Sequence, residues 1–223
     1  MVYEDRGAAG RILAEWLLYL RGHDSVVVGV ANAGVVVARE IAAALDAPLD
    51  VLVVRKLAVP GAEELTMGAV GEGAVIAANH DVMRECRITP RALAKAAHQE
   101  HYPVTRQLAM LHRAVPRVEL TGRVVVLVDD GILTGVTIRV AIGVLRARGA
   151  GRVILAVPVA PAAVLRELEG SVDQVICLKA MRLVRNLDAW YREFPAVGAT
   201  EVAATLRAHA DALPHRPHSP AGA

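Results

Sequence analysis

Apolar positions along the chain follow two periods that alternate from one end to the other. Short continuous apolar runs, such as residues 124–128, are typical of parallel strands buried on both faces. Apolar residues spaced three and four apart, as over residues 8–20, are typical of amphipathic helices. The pattern predicts strands at residues 26–30, 49–55, 67–70, 74–77, 124–128, 153–157 and 174–178, and helices at residues 8–20, 34–45, 89–113, 137–148, 161–169 and 199–211. Because strands and helices alternate, we expect an α/β fold with a mostly parallel twisted sheet and helices on both faces.

Two segments interrupt this regular pattern. Residues 56–66 are polar and contain a Pro-Gly pair, so we predict a loop there. Thr89 and Pro90 suit the cap and the first turn of the helix that follows them. Pro103 lies inside that helix and is expected to kink or split it, because proline has no amide N–H for a helical hydrogen bond.

The length of the chain favours one domain. Its 223 residues suffice for a single α/β domain, which we place at residues 1–212. Residues 213–223 are rich in Pro, His and Ala and are predicted to form a disordered tail.

Charge and hydropathy argue against several classes of partner. The net charge is +2 with both signs mixed along the chain, so we expect no nucleic-acid partner. No apolar run approaches the ~20 residues of a membrane helix, so we expect no membrane partner. The first residues do not form a secretory signal, and the two cysteines have no disulfide or metal-ligand spacing. A cytoplasmic location is therefore the default expectation.

The most informative chemistry follows the apolar run at residues 124–128. The run ends at two adjacent carboxylates, and a loop of glycine and threonine leads from them into a helix. Backbone N–H groups at a helix start bind phosphate, and carboxylates accept hydrogen bonds from a diol. A ribose 5-phosphate carries both groups, so we predict that it binds here. The candidate residues are Asp129, Asp130, Gly131, Thr134, Gly135 and Thr137.

Other nucleotide-binding motifs fit this chain less well. A P-loop requires Gly-Lys-Ser or Gly-Lys-Thr, and no lysine lies near residue 131. A dinucleotide motif requires Gly-x-Gly-x-x-Gly after the first strand, where residues 29–34 read Gly-Val-Ala-Asn-Ala-Gly. An acidic pair on its own is also compatible with a structural or a metal-binding role.

The complete string at residues 125–137 reads Val-Val-Leu-Val-Asp-Asp-Gly-Ile-Leu-Thr-Gly-Val-Thr. It resembles the phosphoribosyl-pyrophosphate (PRPP) binding motif of type I phosphoribosyltransferases. The resemblance implies that Asp129 and Asp130 bind the ribose hydroxyls, and that the loop from Gly131 to Thr137 binds the 5-phosphate. It also implies Mg²⁺ as the cofactor, which Asp129 and Asp130 would reach mainly through PRPP.

Two further segments are candidates for the pyrophosphate side of the site. In several members of that family an Arg-Lys pair precedes a flexible loop that closes over the site, and Arg55 and Lys56 occupy that place here. Lys56 is the preferred residue of the two, because a flexible ammonium suits a departing, Mg²⁺-bound pyrophosphate. Asn32, Ala33 and Gly34 follow the first strand, and their backbone N–H groups are candidates for binding pyrophosphate.

The chain is most similar to a bacterial subgroup of small predicted phosphoribosyltransferases. The resemblance covers residues 4–205 and implies a helical hood at about 80–115, over the site. The chain departs from the subgroup in its first loop, which lacks the usual arginine, in the arginine-rich helix and in the acceptor loop. These departures lie at residues 31–34, 108–117 and 179–186.

The resemblance implies transfer of a 5-phosphoribosyl group from PRPP to a small nitrogen acceptor, with release of pyrophosphate. A nucleobase is the expected acceptor. Lys56 would stabilise the leaving pyrophosphate, Asp130 would assist with the acceptor's proton, and a homodimer is expected. Because the pyrophosphate and acceptor sides differ from the family, two alternatives stay open. One is a non-catalytic regulatory protein that binds PRPP or a nucleotide, and the other is a Mg²⁺-dependent hydrolase of phosphosugars or nucleotides.

Overall fold

The computed structural model describes residues 2–113 and 115–213. The strands are β1 Ser25–Val30, β2 Leu49–Leu52, β3 Val54–Val59, β4 Ala62–Gly71, β5 Ile76–Ala78, β6 Val124–Val128, β7 Arg152–Pro161 and β8 Gln174–Met181. The helices are α1 Arg6–Glu15, α2 Gly34–Leu45, α3 His80–Glu85, α4 Pro90–His112, α5 Val136–Ala147, α6 Ala162–Glu169 and α7 Ala199–Ala212. No helix in the described ranges is both long enough and apolar enough to cross a membrane. Residues 214–223 of the predicted tail lie outside the described residues.

Five strands form a parallel sheet in the order β2-β1-β6-β7-β8. Successive side chains of a strand point to opposite faces, and here both faces are buried. On β6, Val126 and Val128 pack with the apolar residues of α1 and α2, whereas Val125 and Leu127 pack with those of α5 and α6. The prediction of a mostly parallel α/β sheet with helices on both faces is confirmed.

The loop predicted at residues 56–66 is instead a β-hairpin. The strand predicted at residues 49–55 ends at Leu52, and β3 then leaves the parallel sheet and pairs with β4. Buried and exposed residues alternate here as in a strand, since Leu57 and Val59 are buried while their neighbours are exposed. The polar composition of the segment obscured this alternation in the sequence. Strands β3, β4 and β5 form a second, antiparallel sheet.

The long helix α4 is continuous from Pro90 to His112, so the expected split at Pro103 does not occur. Proline removes one hydrogen bond from the helix, but buried side chains on both sides of it hold α4 against its neighbours. These side chains are Leu93, Ala97, Val104 and Leu111. The predicted start is confirmed, since Thr89 Oγ1 accepts a hydrogen bond of 3.2 Å from Ala92 N.

The antiparallel sheet lies between α4, which belongs to the predicted hood, and α5, which packs on the parallel sheet. Gly68 on β4 lies against Leu93 of α4, and Gly71 on the same strand lies against Val140 of α5. Because side chains alternate along β4, one face of this sheet contacts α4 and the other contacts α5. Val54 and Lys56 of β3 line one cleft together with Thr137 at the start of α5.

The start of the described chain lies beside the segment that precedes α7. We call residues 182–197 the C-terminal strap. Tyr3 N donates to Trp190 O, and Arg192 N donates to Tyr3 O, each at 2.9 Å. The Tyr3 hydroxyl donates to Pro158 O of β7 at 3.0 Å. These bonds fix the strap and the start of α1 to the sheet.

Candidate functional site

A cleft of about 190 Å³ opens at the carboxyl ends of β1 and β6, beside the start of β3. Three segments that lie far apart in the sequence meet in it, as expected for loops at the carboxyl edge of a parallel sheet. Of the residues predicted from the sequence, those that line the cleft are Asn32, Ala33, Lys56, Asp129, Asp130, Gly131, Thr134, Gly135 and Thr137.

Two predicted site residues lie outside the cleft lining. Arg55 precedes Lys56 on β3, so its side chain points to the opposite face, where Arg55 Nε lies 2.5 Å from Glu100 Oε2 of α4. Gly34 begins α2 and packs against the end of β6, where a Cβ atom would lie 2.8 Å from Val128 O. Its smallness lets the helix start approach the strand closely.

Asp129 is half-buried at the floor of the cleft. Its Oδ1 accepts a hydrogen bond of 2.9 Å from Asp130 N. Burial raises the pKa of Asp129 well above its usual value, and the neighbouring Asp130 carboxylate raises it further, while Lys56 acts in the opposite direction. A ligand that brings hydroxyl donors or a cation to this carboxylate would favour its charged form.

Asp130 is buried and is held from two sides. Arg6 Nε lies 2.8 Å from Asp130 Oδ2, with about 7% of the arginine side chain and 9% of the aspartate side chain exposed. The Tyr191 hydroxyl donates to the backbone oxygen of Asp130. Burial raises the pKa of Tyr191, so this hydroxyl keeps its proton and remains a donor.

Sequence reasoning missed both partners of Asp130. Arg6 lies 124 positions before Asp130 and Tyr191 lies 61 positions after it. Neither belongs to a local motif, and a single arginine in a first helix carries no signal of such a contact. Only the fold brings these residues together.

The loop from Gly131 to Gly135 leads into α5 with its amides free of helical partners. Gly135 caps the helix with φ of 74° and has no side chain to accept from the first amides. The first backbone bond of the helix runs from Arg139 N to Gly135 O at 2.9 Å. The amides of the first turn therefore have no helical partners, and Thr134 and Thr137 line the cleft beside them, an arrangement typical of helix starts that bind anions.

The loop after β1 offers its backbone rather than the side chain of Asn32. Asn32 Nδ2 donates to Val197 O at 3.0 Å, and Asn32 Oδ1 accepts from Gln107 Nε2 at 2.9 Å. The bond between Ala31 and Asn32 is a cis peptide. Both polar ends of the Asn32 side chain are thus occupied by the strap and by α4.

The strap closes one side of the cleft. Leu187 is a lining residue that the sequence did not indicate, and it lies against Gly131. No described residue of the predicted hood at 80–115 lines this cleft, although Gln107 of α4 contacts its first loop.

The described residues contain no group of three or more His, Cys, Asp or Glu side chains placed to hold a metal ion. Asp129 and Asp130 offer the oxygen ligands that Mg²⁺ prefers, but Mg²⁺ normally binds through one or two carboxylates together with substrate phosphates. The donor set therefore fits a Mg²⁺ ion that arrives with a phosphorylated ligand.

Comparison with known proteins identifies the family. The family model for the phosphoribosyl transferase domain matches residues 3–182. The Mycobacterium tuberculosis protein named "Putative phosphoribosyl transferase Rv0571c" is 43% identical over 211 residues, which cover 94% of this chain and 48% of that protein. The chain thus spans about half the length of the curated relatives it matches.

Two solved structures share the fold of this chain. The crystal structure of TT1426 from Thermus thermophilus has a TM-score of 0.76 and 34% identity, and the match covers 93% of this chain and 99% of TT1426. AQ2163 from Aquifex aeolicus has a TM-score of 0.51 at 14% identity, over 81% of this chain and 77% of that one, and shows the shared fold alone. The fold, the motif at the end of β6 and these matches show that this chain belongs to the type I phosphoribosyltransferase family.

Proposed function

We propose that this chain transfers a 5-phosphoribosyl group from PRPP to a nitrogen acceptor, a nucleobase being the expected class, and releases pyrophosphate. The observation that carries the proposal is the shared cleft, where the Asp129–Asp130 pair lies beside the open amides at the start of α5. A diol-binding group and a phosphate-binding group thus flank one small cavity. Family membership supports a transferase, and the donor and acceptor are our inference.

In this proposal, the ribose 5-phosphate part of PRPP is held by residues of one loop. Asp129 and Asp130 accept hydrogen bonds from the ribose hydroxyls, and charge-assisted bonds of this kind are the stronger ones. The amides from Leu133 to Thr137 bind the 5-phosphate, where the helix dipole favours negative charge, whereas Ile132 N already donates to Val159 O at 2.9 Å. Strand β6 supports both halves, so their spacing is fixed by the fold.

The pyrophosphate would lie between the loop after β1 and Lys56. The backbone N–H groups at Asn32 and Ala33 and the exposed ammonium of Lys56 line that side of the cleft. When bound, Mg²⁺ would neutralise charge on the pyrophosphate oxygens. Lys56 adds a positive charge where negative charge develops as pyrophosphate leaves.

We assign Asp130 to ribose binding rather than to proton transfer, because Arg6 Nε already donates to its Oδ2. Its predicted help with the acceptor's proton remains a secondary proposal. The predicted homodimer and the predicted cytoplasmic location also remain proposals.

A regulatory protein that binds PRPP without turnover is the second candidate. The loop after β1 favours it, because residues 31–34 lack the arginine of the related subgroup and the Asn32 side chain is held by Val197 and Gln107. The hydrolase alternative has no comparable observation in its favour.

A pyrophosphate-release assay distinguishes these candidates. The full chain is incubated with PRPP and Mg²⁺ and with each of a panel of nucleobases, and released pyrophosphate is measured. Release that depends on one base supports the transferase. PRPP binding without release supports the regulatory protein, and phosphate release from nucleotides in the absence of PRPP supports the hydrolase.

A further inference from the structure

Arg6 occupies a position that ordinary helix chemistry does not explain. It is the first residue of α1, where the positive end of the helix dipole disfavours a cation, and only 6% of it is exposed. Arginine is almost never buried to this extent unless it is paired. Asp5 already caps the helix, since its Oδ1 accepts from Ala8 N at 2.6 Å. The burial of Arg6 therefore has a cause outside its own helix.

Three contacts hold the Arg6 guanidinium in one orientation. Its Nε donates to Asp130 Oδ2 at 2.8 Å, and its Nη1 donates to Pro195 O at 2.7 Å. Its Cζ atom lies 3.7 Å from the centre of the Phe194 ring. The planar fork of arginine suits such a set of contacts, because it can stack on a ring and donate in fixed directions. Arg6 thus connects the cleft with the C-terminal strap.

We propose that Arg6 is a positioning residue that sets the orientation of the Asp130 carboxylate toward the ribose hydroxyls. The inference rests on the proposed function, because it assumes that Asp130 binds ribose. Arg6 contacts one carboxylate oxygen, Oδ2, and so fixes the rotation of the group, while Asp130 also lines the cleft. Without this contact, a buried carboxylate would lose its cationic partner and turn away from the ligand.

A purely structural role is the competing explanation. Arg6 also fastens the strap through Pro195 and Phe194, so its loss could loosen the whole cleft. The two roles differ in what they change. A positioning role affects only the sugar part of a ligand, whereas loosening of the cleft weakens sugar and phosphate binding alike.

The test measures binding of ribose 5-phosphate and of inorganic phosphate to the full chain and its variants. The variants are Arg6→Gln, which removes the charge, and Arg6→Lys, which keeps a charge but loses the planar fork. Two controls disturb the same region without touching Asp130. Arg192→Gln removes an exposed ion pair with Glu4, and Tyr3→Phe removes the buried hydrogen bond to Pro158 O.

The proposal predicts that Arg6→Gln lowers the affinity for ribose 5-phosphate about tenfold and leaves the affinity for inorganic phosphate within about twofold. Arg6→Lys should fall between Arg6→Gln and the unmodified chain, and both controls should bind like the unmodified chain. If Arg6→Gln does not fold, Arg6→Lys decides, since a selective loss for ribose 5-phosphate supports the proposal.

Two results would overturn the positioning role. Equal losses for both ligands, or no loss in either Arg6 variant, would show that Arg6 acts on the structure alone or not at all. If the unmodified chain binds inorganic phosphate but gains nothing from the ribose, the proposed function fails, and the inference fails with it.

Discussion

At the scale of single residues, the two adjacent carboxylates share a proposed ligand, the ribose, but have different environments. Asp130 has a buried arginine as its partner, whereas Asp129 faces the cleft with a pKa raised by burial and by its neighbour. Exchanging Asp130 would leave Arg6 buried without a counter-ion, which is costly. Asp129 is therefore the residue to change when ribose binding is tested.

We expect Asp129→Asn to weaken PRPP binding by tenfold or more while the fold is kept. The carboxylate loses a charge-assisted hydrogen bond to a ribose hydroxyl, worth roughly 1.5–3 kcal/mol. Asparagine keeps the oxygen that accepts from Asp130 N. Titration calorimetry and circular dichroism measure the two properties, and unchanged PRPP affinity would contradict the ribose assignment.

The raised pKa of Asp129 also predicts a pH effect on stability. In the folded chain Asp129 holds its proton more tightly than in the unfolded chain, where the usual value is near 3.8. Its contribution to stability is therefore complete at low pH and is lost as the pH rises through the raised pKa. Asp129→Asn should gain stability relative to the unmodified chain as the pH rises, as measured by urea unfolding at several pH values. A constant difference across pH would refute this.

Ligand binding should release a proton for the same reason. Hydroxyl donors and Mg²⁺ favour the charged carboxylate, so bound PRPP should lower the pKa of Asp129 and increase affinity with rising pH. Calorimetry in two buffers of different ionisation enthalpy measures the proton count. Binding heats that are independent of the buffer near the raised pKa would exclude this coupling.

At the scale of elements, close packing between a loop and the strap shapes the cleft. A Cβ atom on Gly131 would lie 2.5 Å from Leu187 Cδ2 and 3.0 Å from Val159 Cγ1. Gly131→Ala should therefore displace the strap, add backbone strain at a φ of 154°, cost about 1–3 kcal/mol of stability and weaken phosphate binding. Gly170→Ala is the matched control, because a Cβ atom there meets nothing within 4 Å and φ is −74°. Equal melting temperatures for the two variants would rule out this packing role.

A buried ion pair joins β2 to the end of α5. Arg148 Nη2 lies 2.9 Å from Asp50 Oδ2 and also donates to Val118 O at 2.7 Å. Arg148→Met leaves the Asp50 carboxylate buried without its partner and should cost about 3–5 kcal/mol. Arg146→Met, which breaks a partly exposed pair with Asp173, should cost no more than about 1 kcal/mol. Chemical unfolding of both variants measures the difference, and similar losses would contradict the assigned roles.

At the scale of the whole molecule, the sequence predicted those features that depend on residues adjacent in the chain. The run from β6 through the acidic pair to α5 is contiguous, so its strand, loop and helix were readable from residues 124–148. The alternation of strands and helices likewise predicted the parallel sheet. The hairpin of β3 and β4 was not predicted, because its many exposed polar residues hid the alternation of buried and exposed positions that is typical of a strand.

Contacts between distant segments could not be read from the sequence. The pair Arg6–Asp130 and the contact of Leu187 with Gly131 depend on how α1 and the strap pack against the loop after β6. The direction of Arg55, toward Glu100 rather than the cleft, depends on where β3 begins. The chain also spans about half the length of its curated relatives.

The most direct test of the central claim is calorimetric titration of the full chain with PRPP, with and without Mg²⁺. Ribose 5-phosphate and ATP serve as comparison ligands, and Asp129→Asn serves as the matched variant. The account predicts Mg²⁺-dependent binding of PRPP that is tighter than that of either comparison ligand and is weakened by Asp129→Asn. Binding of another phosphate without binding of PRPP, or equal PRPP binding by the variant, would contradict it.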